Sequence, residues 1–186
     1  MSAFEVVGTV AGVLSVLLTV RQSLWCWPVG IVSVAAYAVL FFQIRLYADA
    51  ALQVFYVATG FYGWYAWRYG GAGRSELPVR TLSGRQRLAL ALLLTPVVVV
   101  VTAALRTWTD ASLPFWDTLA SSLSVAAQLL LMRKVLENWL LWIVVDLMSI
   151  GIYVAKGVYL TSALYAVYLL LAILGWRAWR RVRGAP

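Results

Sequence analysis

A carboxylate lies inside one of the most apolar stretches of this chain. Residues 137–181 are almost entirely hydrophobic, yet Asp146 falls well within a segment long enough to cross a bilayer. An aspartate at the centre of a membrane helix costs roughly 2.5–3.5 kcal/mol to insert, so such residues usually face a protein interior and have a function. Asp146 is therefore a candidate functional residue.

Two tryptophans share a helix face with this carboxylate. Trp139, Trp142 and Asp146 are spaced at i, i+3 and i+7, which places them on one side of a helix with 3.6 residues per turn. Two indole rings followed by an acid are typical of a binding surface. The competing interpretations are that Trp139 anchors the helix at the membrane interface and that Asp146 forms a structural hydrogen bond or pairs with Lys156.

The composition identifies an integral membrane protein. Hydrophobic residues make up 63% of the 186 positions and charged residues only 12%, more apolar surface than a soluble domain of this size encloses. The absence of histidine argues against most zinc sites and histidine-dependent catalysis, and the lone Cys26 indicates packing rather than a metal cluster. We expect no cofactor, no metal and no enzymatic activity. The net charge is +8, but the charged residues lie between apolar spans rather than in a separate basic domain, so no nucleic-acid partner is predicted.

Seven apolar segments are long enough to be membrane helices. About 20 residues are needed to cross roughly 30 Å of hydrocarbon. The predicted spans are residues 4–20, 27–44, 50–67, 87–105, 115–132, 139–155 and 158–176. The acidic Glu5 and the absence of a preceding basic residue argue against a cleaved signal peptide, so we expect the first span to be retained.

Basic residues predict the orientation of these spans. One side carries Arg21, Arg68, Arg74, Arg80, Arg85, Arg87, Arg133, Lys134, Arg177, Arg180, Arg181 and Arg183. The opposite side carries only Arg45, Arg106 and Lys156. Because cytoplasmic loops are enriched in Lys and Arg, the pattern predicts an external N-terminus and a cytoplasmic C-terminus. It also makes residues 70–85 a cytoplasmic linker.

The chain contains an internal repeat. Shifting the numbering by 112 overlays residues 4–68 on residues 116–180 without a gap. Uncommon residues coincide in this overlay: Arg21 with Arg133, Trp27 with Trp139, Tyr47 with Tyr159, Tyr56 with Tyr168, Gly63 with Gly175, Trp64 with Trp176, Trp67 with Trp179 and Arg68 with Arg180. We interpret this as a duplicated three-helix unit.

The repeat predicts an all-α, 3+1+3 architecture with parallel repeats, the plan of SWEET-type transporters. Its parts are a first three-helix bundle at 4–68, a linker and connecting transmembrane helix at 69–114, and a second bundle at 115–180. Polar residues found in one copy alone are candidates for ligand contacts. Asp146 overlays Val34, Trp142 overlays Gly30, Asn138 overlays Cys26, Gln53 overlays Tyr165 and Gln128 overlays Val16.

Over nearly its whole length the sequence resembles the PnuC family of bacterial vitamin transporters. The resemblance rests on the W-x-x-W-x-x-x-[DN] pattern of Trp139, Trp142 and Asp146, on LYADAALQVFYVATGFYGWYAW at 46–67, and on GVYLTSALY at 157–165. It implies a SWEET-like fold, often assembled as a homotrimer in the inner membrane. It also implies uptake of nicotinamide riboside by facilitated diffusion, with phosphorylation trapping the substrate in the cytoplasm. Relatives carry thiamine or riboflavin, so both remain alternatives.

Under this resemblance the candidate site can be matched to nicotinamide riboside. Trp139 and Trp142 offer ring faces to the cationic pyridinium, and Asp146 offers a countercharge or an acceptor for ribose hydroxyls. The remaining candidates provide amides, hydroxyls and rings: Gln53, Tyr56, Gln128, Asn138 and Tyr168. The amides are equally suited to hydrogen bonds between helices.

Other functions are also compatible with the sequence. A SWEET-like sugar transporter or a small channel is the second candidate, and a membrane-bound enzyme is the third. Few acidic residues lie within the spans, with Asp146 central and Asp117 near one end. This favours uniport over coupling to protons or sodium.

Overall fold

The computed structural model describes residues 3–43, 45, 47–108 and 113–183, without the side chains of 47–49. The predicted end of the second span at Ile44, and Leu46 at the start of the 46–67 stretch, lie outside the described residues. Seven long helices are present: α1 (Ala3–Val20), α2 (Cys26–Gln43), α3 (Tyr47–Tyr69), α4 (Gly84–Trp108), α5 (Pro114–Met132), α6 (Asn138–Ala155) and α7 (Tyr159–Arg183). A short 3-10 helix (Ala72–Arg74) lies between α3 and α4.

The predicted all-α class and the seven helices are confirmed. Six of the helices are long and apolar enough to cross a membrane, and α3 is the exception. Helix α3 has 23 residues but carries Gln53, Thr59 and several tyrosines, which reduce its apolar character. Helices α4 and α7 are longer than predicted because hydropathy marks only the hydrocarbon-spanning part of a helix, whereas these helices continue into segments rich in arginine.

The helices pack in two groups. In the first, α1 packs on α2 and α2 on α3; in the second, α5 packs on α6 and α6 on α7. The groups meet where α1 contacts α7 and where α3 contacts α5, and α4 packs on α5. Each group therefore contributes its first and third helices to the contact with the other.

Four tryptophans join these groups at one end of the molecule. Trp27, Trp67, Trp139 and Trp179, named here the indole quartet, are each at most 5% exposed. Their rings meet edge to face in a chain, with centroid distances of 5.3 Å (Trp27 to Trp67), 5.6 Å (Trp67 to Trp179) and 5.4 Å (Trp179 to Trp139). Such pairs contribute about 0.5–1.5 kcal/mol each beyond burial of their area.

Two of these indoles also donate hydrogen bonds from one group to the other. Trp67 Nε1 donates to the carbonyl of Leu131 at 3.0 Å, and Trp179 Nε1 donates to the carbonyl of Thr19 at 3.1 Å. From sequence alone, the arginines beside Trp67 and Trp179 predict that both tryptophans anchor the protein at the membrane interface. That prediction is wrong, because both side chains have 0% exposure and hold the helix groups together.

The connection between α3 and α4 is folded against the second helix group rather than extending freely as a linker. Leu77 N–H donates to the carbonyl of Trp67 at 3.0 Å. Arg80 N–H donates to the carbonyl of Lys134, and Leu136 N–H donates to the carbonyl of Arg80, at 3.0 and 2.8 Å. Residues 77–82, named here the strap, therefore lie across the quartet end of the molecule.

Two glycines allow the quartet to close. A Cβ atom at Gly63 would overlap the ring of Trp27, and one at Gly175 would overlap the ring of Trp139. Gly151 also lies inside a helix, but a Cβ atom there would meet nothing within 4 Å. Of these three glycines, packing therefore requires Gly63 and Gly175 but not Gly151.

We predict that Gly63→Ala and Gly175→Ala each lower the free energy of unfolding by about 1–3 kcal/mol, because the added methyl group displaces an indole. The matched control Gly151→Ala leaves stability unchanged or raises it by up to about 1 kcal/mol through helix propensity. Thermal unfolding of the purified protein in detergent measures the difference. Equal effects at Gly175 and Gly151 would contradict this packing.

Candidate functional site

Asp146 lies in the protein interior. Its side chain is 3% exposed on α6 and lies near the side chains of Tyr165 and Tyr168 on α7. Ser149, one turn further along α6, is buried and within hydrogen-bonding range of Tyr165. The alternative pairing with Lys156 is not present, because Lys156 Nζ lies 3.9 Å from Asp117 Oδ1 instead. The carboxylate thus faces hydroxyl groups and aromatic rings.

Tyr168 extends this polar interior to the first helix group. Its hydroxyl lies against Gly12 of α1, in a space that a side chain at that position would fill, and beside the Ser33 hydroxyl of α2. Ser33 Oγ donates to the carbonyl of Gly8 at 2.6 Å, and the hydroxyls of Tyr37 and Thr9 are 2.7 Å apart. Side chains from α1, α2, α6 and α7 therefore form one polar, aromatic-lined region.

The predicted residues of α3 and α5 form a second polar group at the other contact between the helix groups. Gln128 Nε2 of α5 lies 3.4 Å from Thr59 Oγ1 of α3, and Thr59 in turn donates to the carbonyl of Tyr56. Gln53 and Tyr56 are half-buried on α3. Gln128 thus forms a hydrogen bond between two helices, which was the alternative to a ligand contact for this amide.

The three motif residues on α6 lie at different depths. Trp139 belongs to the indole quartet and Trp142 is half-buried against it, whereas Asp146 lies two turns further along. Asn138 has 0% exposure, and its Nδ2 donates to the carbonyl of Val135 at 2.6 Å. A helix rises 1.5 Å per residue, so Asn138 lies about 12 Å below Asp146. Of the predicted set, the structure brings Asp146 and Tyr168 together and places Asn138 and Trp139 at the quartet end.

Three residues of this polar region were not predicted. Tyr165, Ser149 and Tyr37 belong to the same polar region, and Tyr153 stacks on Tyr165 at a centroid distance of 5.4 Å. Ser149 follows Asp146 at i+3, so the helix period alone indicated it. Tyr37 and Tyr165 could be assigned to this region only from the packing of α2 and α7, which a local sequence pattern does not show.

The described residues contain no group of three or more histidine, cysteine, aspartate or glutamate side chains that could hold a metal ion. The donors at Asp146 are a single carboxylate, serine and tyrosine hydroxyls, and aromatic rings. This chemistry suits an organic ligand with hydroxyl groups or a delocalised positive charge.

Six helices long and apolar enough to cross a membrane, around a buried polar interior, are typical of multi-pass transporters of small molecules. Residues 2–181 match the family described as nicotinamide mononucleotide transporter. The chain is 35% identical to the nicotinamide riboside transporter PnuC of Escherichia coli (strain K12), over 96% of this chain and 85% of the relative. It therefore belongs to the PnuC family of transporters, as the sequence motifs predicted.

Two further comparisons agree with this family. The riboflavin/roseoflavin transporter RibM of Streptomyces davaonensis is 29% identical, over 94% of this chain and 83% of that protein. A crystal structure of the vitamin B3 transporter PnuC superimposes with a TM-score of 0.76 at 24% identity, covering 96% of this chain and 81% of that one. The second comparison shows that the fold is shared.

We predict that Asn138→Ala lowers the free energy of unfolding by about 1 kcal/mol, because it removes the hydrogen bond from Nδ2 to the carbonyl of Val135, which still accepts from the Asn138 N–H. The control Gln43→Ala removes an exposed amide at the end of α2 and leaves stability within about 0.5 kcal/mol. Thermal unfolding in detergent compares the two variants. A wild-type melting temperature for Asn138→Ala would contradict a structural role for this residue.

Proposed function

We propose that this protein takes up nicotinamide riboside across the bacterial inner membrane by facilitated diffusion, and that phosphorylation in the cytoplasm traps the substrate. The relatives named as nicotinamide riboside transporters support this substrate. The observation that carries the proposal is the buried carboxylate of Asp146, which faces tyrosine hydroxyls and has no basic partner among the described residues. A cationic ligand would provide the missing countercharge.

The chemistry of nicotinamide riboside suits this region. Its pyridinium ring is flat and positively charged, and an indole face such as that of Trp142 attracts such a ring by about 0.5–2 kcal/mol. Asp146 balances the charge or accepts from ribose hydroxyls, and Tyr165 and Tyr168 add hydroxyl groups. Gln53 and Tyr56, half-buried on α3, face the ligand from the other helix group in this proposal. Trp139, Asn138 and Gln128 support the helices that hold these groups.

We further propose that all seven helices span the membrane as two parallel three-helix bundles, 4–68 and 115–180, joined by 69–114. Matching turns support this duplication. Gln22 and Lys134, 112 residues apart, both adopt a positive φ, of 55° and 48°. Arg45 and Gly157 do likewise, at 62° and 72°. Non-glycine residues seldom adopt this conformation, so its recurrence at one spacing favours a common origin.

Reciprocal contacts between the bundles also support a parallel repeat. Trp67 donates a hydrogen bond to Leu131, and Trp179 donates one to Thr19. The two donors are 112 residues apart and so are the two acceptors, so each bond is the counterpart of the other in the repeat. Helix α4 presents exposed valines at 97 and 99–101, which suits a connecting helix in contact with lipid. An odd number of crossings between the bundles keeps them parallel. The distribution of lysine and arginine then supports an external N-terminus and a cytoplasmic C-terminus.

Uniport is supported by the few acidic groups in the interior. Among the acidic side chains that the structure describes within the helices, Asp146 is buried, whereas Asp117 is 40% exposed near Lys156. A coupling ion usually requires more than one acidic ligand in the membrane.

We predict that Asp146→Ala and Trp142→Ala each weaken binding of nicotinamide riboside about tenfold or more, because they remove the countercharge or the ring face. The control Asp117→Ala removes an exposed carboxylate from α5 and leaves affinity unchanged. Isothermal titration of the purified proteins measures the dissociation constants. Unchanged affinity in both site variants would contradict the proposed site.

Riboflavin is the second candidate substrate because of the similarity to RibM. We predict that nicotinamide riboside raises the melting temperature of the purified protein more than riboflavin, thiamine or simple sugars, since a ligand stabilises the state it binds.

Nicotinamide mononucleotide should not shift the melting temperature. Among the described residues, Asp146 has no basic partner that could bind the phosphate of the mononucleotide. A larger shift with riboflavin would reassign the substrate, and a shift with the mononucleotide would contradict this view of the site.

A further inference from the structure

We propose that Glu137 is a positioning residue that holds the strap closed over the indole quartet, and that its release is a step in opening this end of the transporter. Glu137 precedes α6 and is 8% exposed. Both carboxylate oxygens accept from Leu82 N–H, at 3.2 and 3.1 Å, and Oε1 also accepts from Arg87 Nη2 at 2.8 Å. One carboxylate thus fixes both the end of the strap and the start of α4.

The strap connects the two helix groups. At one end, Leu77 N–H is bonded to the carbonyl of Trp67 in α3. At the other end, Arg80 pairs with the backbone of Lys134 and Leu136 in the turn between α5 and α6. Leu77 and Val79 also pack against the cluster that contains the quartet. The groups therefore cannot separate at this end unless the strap leaves one of them.

Only one of the two equivalent turns is covered in this way. Residues 134–137, between α5 and α6, are all buried, and they overlay residues 22–25 between α1 and α2. Trp25, the counterpart of Glu137, is 69% exposed. The strap therefore covers the α5–α6 turn but not the equivalent α1–α2 turn. As a result, the second helix group is fixed to α4 at this end of the molecule.

The interactions of the strap are suited to a reversible device. Arg87 is 60% exposed at its side chain, so its ion pair with Glu137 is screened by water and contributes modestly. The bonds from Leu82 N–H to the carboxylate are part-buried and have a charged acceptor. Such contacts favour the closed state without preventing opening on the timescale of transport.

The chain contains its own reporter of this opening. Cys26 is the lone cysteine and is 3% exposed within the quartet cluster. It belongs to the same buried cluster as Met132, Leu136 and Trp139 of the second helix group. Burial lowers the pKa of the Lys134 amine, although nearby Glu76 opposes the shift. Separation of the groups would expose the thiol to reagents.

The test measures the rate at which N-ethylmaleimide modifies Cys26 in the purified full-length protein, without substrate and well below the melting temperature. We expect Glu137→Ala to label about tenfold faster than wild type and Arg87→Gln about two- to fivefold faster. Glu137→Gln keeps an oxygen for Leu82 N–H and should restore part of the protection. Cys26→Ser provides the unlabelled reference.

Arg85→Gln is the matched control, since Arg85 lies two residues from Arg87, is exposed and has no interaction with Glu137 in the structure. It should label at the wild-type rate. If Glu137→Ala does not fold, the comparison of Arg87→Gln with Arg85→Gln decides, because both replace exposed side chains. Equal labelling rates in those two variants, or a wild-type rate in Glu137→Ala, would overturn the proposal. The assay uses no substrate, so its outcome is independent of the vitamin transported.

Discussion

The contact between the two helix groups depends on the indole quartet. Four large rings exclude water at one end of the molecule, and Trp67 and Trp179 each donate a hydrogen bond to a carbonyl of the other group. In an apolar environment an unpaired indole N–H is costly, so these donors favour one register between the groups. Gly63 packs against Trp27 and Gly175 against Trp139 within their own groups, which leaves room for the rings that form this contact.

Helix α6 connects this closure to the polar interior. Trp139 belongs to the quartet, Trp142 packs against it, and Asp146 faces the tyrosines of α7 two turns away. A rigid helix transmits displacement at one end to the other, so rearrangement of the quartet would move the carboxylate relative to Tyr168. The transport site proposed above would thus be coupled to opening of this end through one helix.

The sequence predicted the fold better than it predicted the site. Hydrophobic segments of bilayer length identified all seven helices because the cost of exposing backbone groups to lipid leaves few alternatives. The helix period placed Trp139, Trp142 and Asp146 on one face, but that face extends over about 10 Å along the helix axis. Only the tertiary packing shows that Trp139 belongs to the quartet. Trp67 and Trp179 were misinterpreted because a tryptophan beside arginine is common at membrane interfaces, whereas their partners lie across a tertiary contact. The strap was missed for the same reason, since Glu137 is 50 residues from Arg87 in sequence.

A structure of the protein determined with nicotinamide riboside bound would show whether the polar interior beside the quartet is the transport site. We expect the pyridinium ring next to Trp142 and Asp146, with Tyr168 in contact and the two three-helix bundles superimposing. Density for the ligand at a site remote from Asp146, or bundles that fail to superimpose, would contradict it.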